Sequence, residues 1–267
     1  MKMKAMILAA GLGSRLRPLT DNRPKALVEV NGRTMLEITL SRLRSFGVRE
    51  VIVNVHHFAD MIVEYLKTND NFGMRIEVSR EEMLLDTGGG LKKAAYFFAD
   101  RPEDSSVDSR RNEDENKDED PFILHNVDVL STIDLRRMVQ FHTATRALAT
   151  LAVQDRKTSR YLLFDDLLDD QLQLCGRQSE GEQPEIVRPS EHAHPLAFSG
   201  IHVISPRLLA MMTEDGAFSI IASYLRLAAQ QEKILAFRAD EYYWRDLGKP
   251  DNLELATQDL KLKVITQ

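Results

Sequence analysis

A short apolar run that leads into a glycine turn and then into a group of cations constrains this chain most. Residues 7–25 read Ile-Leu-Ala-Ala-Gly-Leu-Gly-Ser-Arg-Leu-Arg-Pro-Leu-Thr-Asp-Asn-Arg-Pro-Lys. Because glycine tolerates unusual dihedrals and has no side chain, a loop built on Gly11 and Gly13 can turn its N–H groups toward an anion. Arg15 and Lys25 add positive charge there. The segment predicts a polyphosphate site at the end of a strand.

Two common glycine loops differ from this one in detail. A Walker A loop has Lys-Ser or Lys-Thr directly after its last glycine, whereas Gly13 is followed by Ser14 and Arg15. A dinucleotide fingerprint has a third glycine where Leu16 stands, and it opens a helix that Pro18 would interrupt. Neither loop fits.

The segment resembles the signature of the sugar-1-phosphate nucleotidyltransferases, Leu-Ala-Ala-Gly-x-Gly-Ser/Thr-Arg-Leu/Met-x-Pro-Leu-Thr followed by Pro-Lys. Every fixed position of that signature is filled, by Leu8, Ala9, Ala10, Gly11, Gly13, Ser14, Arg15, Leu16, Pro18, Leu19, Thr20, Pro24 and Lys25. The resemblance implies a Rossmann-like α/β nucleotide-diphospho-sugar transferase fold with a mixed, mostly parallel sheet flanked by helices. It also implies transfer of a nucleotidyl group from a nucleoside triphosphate to a sugar 1-phosphate, releasing pyrophosphate. Among the branches, the N-acetylmuramate- and mannose-type enzymes are the most similar, which favours UTP or GTP.

By this resemblance the loop contacts the triphosphate. The nucleotide would lie on Ala10, Gly11, Gly13 and Ser14, and the charge of the leaving pyrophosphate would be stabilised by Arg15 and Lys25. No general base is expected, because the attacking phosphate oxygen is already ionised at neutral pH.

Two aspartates are candidate ligands for Mg²⁺, which prefers one or two carboxylates together with phosphate oxygens and water. The apolar run Phe122-Ile-Leu-His-Asn-Val-Asp ends at Asp128, and Val127 stands where the family usually has glycine. That valine is expected to narrow the space beside the ribose of the nucleotide or beside the sugar. The second aspartate, Asp246, lies in Trp-Arg-Asp-Leu-Gly-Lys-Pro, which resembles the late Trp-x-Asp-x-Gly element of the family.

Further binding positions are predicted around these four catalytic candidates. Asp86, Thr87, Gly88 and Gly89 belong to an Asp-Thr-Gly-Gly-Gly run that is expected to precede a helix and to contact the base or ribose. The sugar would meet Asn126, Ser199 and Gly200, and Arg188 stands roughly where many relatives have a lysine on the sugar phosphate.

Composition limits the remaining choices. The chain has 267 residues, 43% of them hydrophobic, and a net charge of −6, which argues against a nucleic-acid surface. Cys175 is the single cysteine, so no internal disulfide can form, as is typical of a reducing compartment. The apolar run at the start is short and no transmembrane run follows. We therefore predict a cytoplasmic protein with no membrane or nucleic-acid partner; a homo-oligomer is compatible with the sequence.

Hydrophobic periodicity places alternating strands and helices along one domain, 1–267. Strands are predicted over 3–9, 51–55, 74–78, 121–129, 148–154, 161–164, 198–204 and 235–238, and helices from Thr34 and over 58–66, 206–212, 220–230 and 251–260. The acidic stretch 100–120 has one large apolar residue, Val107, and is predicted to be a disordered insertion.

Two other functions stay open. The chain could be a cytidylyltransferase for phosphocholine or another non-sugar phosphate, which would need aromatic cation-binding residues. It could also be a regulatory homologue that binds a nucleotide sugar without turnover. The nucleobase and the sugar are not settled by the sequence.

Overall fold

Apolar strands and amphipathic helices alternate from the amino terminus and assemble around one large sheet. The structure is a computed structural model that describes residues 3–99, 120–166 and 171–261, so all but Asp120 of the predicted insertion lies outside it. The strands are β1 (Lys4–Leu8), β2 (Glu29–Val30), β3 (Arg33–Thr34), β4 (Glu50–Val55), β5 (Arg75–Arg80), β6 (Phe122–Asn126), β7 (Val129–Ser131), β8 (Ala149–Gln154), β9 (Arg160–Asp165), β10 (Gln173–Ser179), β11 (Glu185–Ile186), β12 (His194–Ile204), β13 (Ile234–Arg238) and β14 (Trp244–Asp246). The α-helices are α1 (Met35–Ser45), α2 (Ala59–Thr68), α3 (Asp86–Lys93), α4 (Leu135–Thr145), α5 (Arg207–Ala210), α6 (Ile220–Ala229) and α7 (Pro250–Lys261).

The large sheet is mixed, as the sequence predicts. Its strand order is β11-β10-β13-β8-β12-β6-β1-β4-β5, and β9 pairs with both β10 and β12. The amino-terminal strands β6, β1, β4 and β5 pair in parallel, whereas β12 joins β6 to β8 through antiparallel ladders. The carboxyl ends of the parallel strands therefore meet at one edge, where a ligand is expected in open α/β sheets.

Side chains of β1 are buried on both faces of the sheet, which is why its sequence reads as a continuous apolar run. Ala5 and Ile7 pack into one hydrophobic cluster with α1, and Met6 packs into the other with α6. Helix α1 begins where predicted, because the Thr34 hydroxyl accepts the Glu37 N–H at 3.1 Å.

The predicted strand over 121–129 is two strands in two different sheets. Strand β6 ends at Asn126, and β7 begins at Val129 and pairs with β14 in a separate two-stranded sheet. The break at 127–128 was not visible in the hydrophobic pattern because Val127 is also buried. This break places Asp128 at the edge of the large sheet.

The glycine run 88–90 lies inside α3 rather than before it. The close approach that glycine permits is made by the chain itself: a Cβ on Gly88 would lie 2.3 Å from the Phe218 ring, and one on Gly89 would lie 2.3 Å from the Gly216 carbonyl oxygen. The Gly88 N–H also donates to the Phe218 carbonyl at 2.9 Å. These glycines therefore let the segment before α6 pack onto α3.

None of the helices that the structure describes has the length and apolarity needed to cross a membrane.

Gly88→Ala should lower the free energy of unfolding by about 1–3 kcal/mol, because the new methyl group overlaps the Phe218 ring. Urea unfolding of Gly88→Ala, Phe218→Ala and the double variant measures this. Shortening Phe218 should cost less in the Gly88→Ala background than in the natural protein, with a coupling of about 0.5–3 kcal/mol. Strict additivity would contradict the packing described here.

His202 is fully buried on β12, and its Nδ1 lies 2.8 Å from the Tyr224 hydroxyl. Burial, with a smaller contribution from the neighbouring His125, lowers the pKa of His202 to about 3. The unfolded chain therefore takes up this proton at higher pH than the native protein does. Stability should fall as pH drops below about 6.5, by about 1.4 kcal/mol per pH unit from this group until its folded pKa is reached. Urea unfolding at pH 7 and pH 5 should show a shallower fall for His202→Gln; an equal slope would refute this.

Candidate active site

The glycine turn after β1 is held in a fixed, left-handed conformation. Gly13 has φ +67°, and a Cβ there would lie 2.9 Å from the Thr20 side chain and 3.0 Å from Lys25 Cβ. The Thr20 hydroxyl donates to the Gly13 carbonyl at 2.9 Å. The turn thus seats Lys25 directly against the loop, and only glycine fits at this position.

Asp128 and Asp246 are adjacent although they are distant in the sequence. Strand β14 pairs antiparallel with β7 so that Asp246 faces Val129, the residue after Asp128. The Leu247 N–H then donates to the Asp128 carbonyl at 2.8 Å, and the Gly248 N–H donates to Asp246 Oδ1 at 2.8 Å. This ladder fixes both carboxylates at one place.

Arg15 and Lys25 meet these two carboxylates. Lys25 Nζ forms an ion pair with Asp128 Oδ2, and Arg15 Nη1 lies 4.0 Å from Asp246 Oδ2. A Cβ placed on Gly248 would lie 2.8 Å from Arg15 Nη2, 2.8 Å from Asp246 Oδ1 and 3.3 Å from Lys25 Nζ. The four predicted catalytic side chains therefore converge, and the bare backbone of Gly248 is what leaves room for them.

Two cavities open on this group. The first, here called the cradle cavity, has a volume of about 440 Å³ and is bounded by the end of β1, the start of α3 and the break after β6. Its lining includes Ala10, Gly11, Lys25, Asn54, Leu84, Asp86, Thr87, Asn126, Val127, Asp128 and Ala217. Val127 forms part of its wall, at the position where the resemblance predicts a narrower space.

The second, here called the hairpin cavity, has a volume of about 540 Å³ and extends from the two aspartates to the β9–β10 hairpin. Its lining includes Arg15, Asp86, Thr87, Asn126, Asp128, Arg156, Arg160, Tyr161, Arg177, Phe198, Ser199, Gly200, His202, Trp244 and Asp246. Asp128, Asn126, Asp86 and Thr87 line both cavities, so the cavities adjoin at the catalytic candidates.

Most of the predicted binding residues line these cavities, and five do not. Gly13 and Ser14 shape the turn beneath the cradle cavity, and Gly88 and Gly89 face the segment before α6. Arg188 lines neither cavity, since its guanidinium donates to the Gln173 side chain instead. The role predicted for Arg188 on the sugar phosphate therefore has no geometric support; the match to the family at this position was too loose to align.

An arginine that the sequence analysis missed, Arg156, lines the hairpin cavity close to Asp246. The Arg156 guanidinium stacks on the Trp244 ring with 3.6 Å to its centroid and donates to the Phe198 carbonyl at 2.8 Å. Trp244 is itself fixed by donation from Nε1 to the Ser199 carbonyl at 2.8 Å. Burial lowers the pKa of Arg156, and the nearby Asp246 carboxylate opposes that shift. The position of Arg156 shortly after the buried strand β8 was the sequence signal that could have identified it.

A buried chain of hydrogen bonds joins the phosphate side of the cradle cavity to its other wall. Asn54 Oδ1 accepts the Ala9 N–H at 2.8 Å, and Asn54 Nδ2 donates to Glu81 Oε1 at 2.7 Å. The second oxygen of Glu81 accepts the Leu85 N–H at 3.0 Å, one residue before α3. A polar Asn54 within the apolar strand β4 was the sequence signal for this network, because a buried amide needs partners.

Comparison with known proteins identifies the class of this site. The family model described as nucleotidyl transferase matches residues 4–163. The chain is 33% identical to the N-acetylmuramate alpha-1-phosphate uridylyltransferase of Caulobacter vibrioides, over 92% of each chain. It is 29% identical to the mannose-1-phosphate guanyltransferase of Candida albicans, over 93% of this chain and 62% of that one.

Solved structures agree on the fold. The UDP-glucose pyrophosphorylase from Acinetobacter baumanii superposes with a TM-score of 0.75 over 98% of this chain and 94% of that one, at 18% identity. The family model and the relative from Caulobacter vibrioides show that the protein is a nucleotidyltransferase enzyme. It belongs to the nucleotidyl transferase family, within which the resemblance to the sugar-1-phosphate enzymes is confirmed.

Gly248→Ala should separate activity from stability. The atoms that the new methyl group would meet are the ends of the flexible Arg15 and Lys25 side chains and one Asp246 oxygen, so the fold can adjust at low cost while these groups are displaced from one another. Turnover measured as pyrophosphate release should fall by ~10²-fold. The urea midpoint should move little. A variant with full activity would show that the convergence at Gly248 has no catalytic role.

Proposed function

We propose that this enzyme transfers a uridylyl or guanylyl group from UTP or GTP to a sugar 1-phosphate and releases pyrophosphate. The observation that carries the proposal is the junction of the two cavities at Asp128, where Asp246, Arg15 and Lys25 also meet. One cavity offers a loop for the triphosphate, and the other offers a wall for an acceptor. The uridylyltransferase and guanyltransferase activities of the relatives from C. vibrioides and C. albicans support UTP and GTP as donors.

The residues present fit a bound Mg²⁺. Asp128 and Asp246 supply two carboxylates, each beside a cation that a phosphate can take over. This matches an ion that takes one or two carboxylates and completes its shell with phosphate oxygens and water. When bound, Mg²⁺ would neutralise charge on the triphosphate. Asp128 and Asp246 would hold it.

The chain's own residues then have separate tasks. Lys25, which now faces Asp128, is placed to move its charge to phosphate oxygens when a triphosphate occupies the cradle cavity. Arg15 is placed to bind the same anion in a bidentate way. Arg156 would hold the acceptor phosphate near Asp246, with its plane fixed by Trp244. The reaction is accelerated because these residues align mutually repelling anions and balance their charge.

A phosphocholine acceptor is disfavoured by the same wall. Aromatic side chains do line the hairpin cavity, but one face of Trp244 is covered by the Arg156 guanidinium, which places a positive charge beside these rings. A quaternary ammonium group needs an open aromatic face and would be repelled by a fixed positive charge. A regulatory role without turnover is disfavoured because all four catalytic candidates are present and converge. The cytoplasmic location and the single domain over 1–267 stay predictions.

A panel assay tests the proposal. Purified protein is mixed with each nucleoside triphosphate and several sugar 1-phosphates, including those of N-acetylmuramate and mannose, with Mg²⁺ or with chelator, and pyrophosphate is measured. Release that needs UTP or GTP, a sugar 1-phosphate and Mg²⁺ is expected. Tight binding of a nucleotide sugar without any release of pyrophosphate would favour the regulatory alternative. Release of pyrophosphate only when phosphocholine is the acceptor would favour the cytidylyltransferase alternative.

Lys25→Ala and Asp246→Asn should each lower kcat by ~10²-fold or more, since both groups act on charge that builds in the transition state. The matched control is Asp215→Asn, whose exposed carboxylate pairs with Lys92 away from both cavities. The control should keep the natural rate. Equal rates for all three variants would remove the basis for the assigned roles.

A further inference from the structure

The hairpin cavity is lined by more arginines than one phosphate requires. Arg15, Arg156, Arg160 and Arg177 all line it. A sugar 1-phosphate must place its reacting phosphate at Asp128 and Asp246. Arg156 lies near Asp246 for that phosphate, and Arg15 is the arginine assigned to the triphosphate. Arg160 and Arg177 lie on a different element, and within the described part of the chain no ion pair joins either to those aspartates.

The β9–β10 ladder places Arg160 and Arg177 side by side. Arg177 is directly opposite Leu162, and Arg160 is directly opposite Ser179. Since side chains alternate along a strand, the two arginines are diagonal neighbours on one face of the hairpin. Two guanidinium groups at such positions can both donate to one oxyanion that lies between them.

The two guanidinium groups retain donors for that anion. Arg177 uses Nε to bind Glu185 Oε2 at 2.6 Å, which leaves its terminal nitrogens. Arg160 has no ion pair with any residue that the structure describes. Both side chains are exposed at the cavity wall, so a ligand can reach them.

We propose that Arg160 and Arg177 bind a second anionic group, a carboxylate or a phosphate, carried by the acceptor sugar in addition to its 1-phosphate. This specificity site rests on the proposed function. It selects the acceptor because a pair of arginines binds a planar or tetrahedral oxyanion far more strongly than a neutral hydroxyl group. The class of acceptor is therefore an acidic sugar 1-phosphate.

Two pairs of acceptors test this on the full chain. The first pair is an N-acetylhexosamine 1-phosphate with a carboxyalkyl ether and the same sugar with a free hydroxyl, and the second is a hexose 1,6-bisphosphate and the hexose 1-phosphate. The measurement is the ratio of kcat/KM for the acidic acceptor to that for its neutral counterpart. The natural protein should prefer one acidic acceptor, and the arm that shows the preference identifies the anion.

Arg160→Gln and Arg177→Gln should each lower that ratio by about 10-fold or more, as expected for loss of a charged hydrogen bond. Arg160→Lys keeps the charge and should retain most of the ratio. The matched control, Arg207→Gln, removes an exposed arginine of α5 that pairs with Glu232 and should leave the ratio unchanged.

Two results would overturn the inference while leaving the proposed function intact: a natural protein that prefers neutral acceptors, or arginine variants that slow acidic and neutral acceptors equally. If Arg160 and Arg177 had only a structural role in the hairpin, their variants would slow acidic and neutral acceptors equally. Absence of pyrophosphate from every sugar 1-phosphate would instead refute the proposed function, and the inference with it.

Discussion

The short antiparallel ladder between β7 and β14 is the contact on which the site depends. It brings a carboxylate from near the end of the described chain beside one at the edge of the large sheet, through the Leu247 N–H and the Asp128 carbonyl. Without it Asp246 has no fixed position relative to Asp128, and Gly248 could not lie between Arg15 and Lys25. Backbone hydrogen bonds are well suited to this task because their geometry is set by the chain and not by flexible side chains.

The ladder also explains why the charges at the junction balance. Two carboxylates and two cations form mutual pairs, so each of these four charges has a nearby opposite one. A triphosphate with a divalent cation carries both signs and can replace each partner in turn. The site is thus organised before its ligand arrives, which reduces the cost of ordering side chains on binding.

Local patterns predicted the parts of this site, and long-range pairing determined how they fit together. The motifs that contain the glycine turn, Lys25, Asp128 and Asp246 can each be recognised from a few consecutive residues. The split of 121–129 into β6 and β7 was hidden because Val127 continues the apolar run. Arg156, Arg160 and Arg177 were missed because the sequence around an arginine does not show whether its side chain faces solvent or a cavity. The pairing register with β12 and β10 determines which of the two it faces. Arg188 was predicted from a loose match to the family, and in the structure its guanidinium donates to the Gln173 side chain.

The stack of Arg156 on Trp244 gives the protein a built-in optical probe. Trp244 is the single tryptophan of the chain, so it is the sole indole fluorophore, and one of its faces lies against a cation in the wall of the hairpin cavity. Indole emission depends strongly on nearby charge. Any occupant that draws the guanidinium away, or adds negative charge beside it, would therefore register in the intrinsic signal without a label.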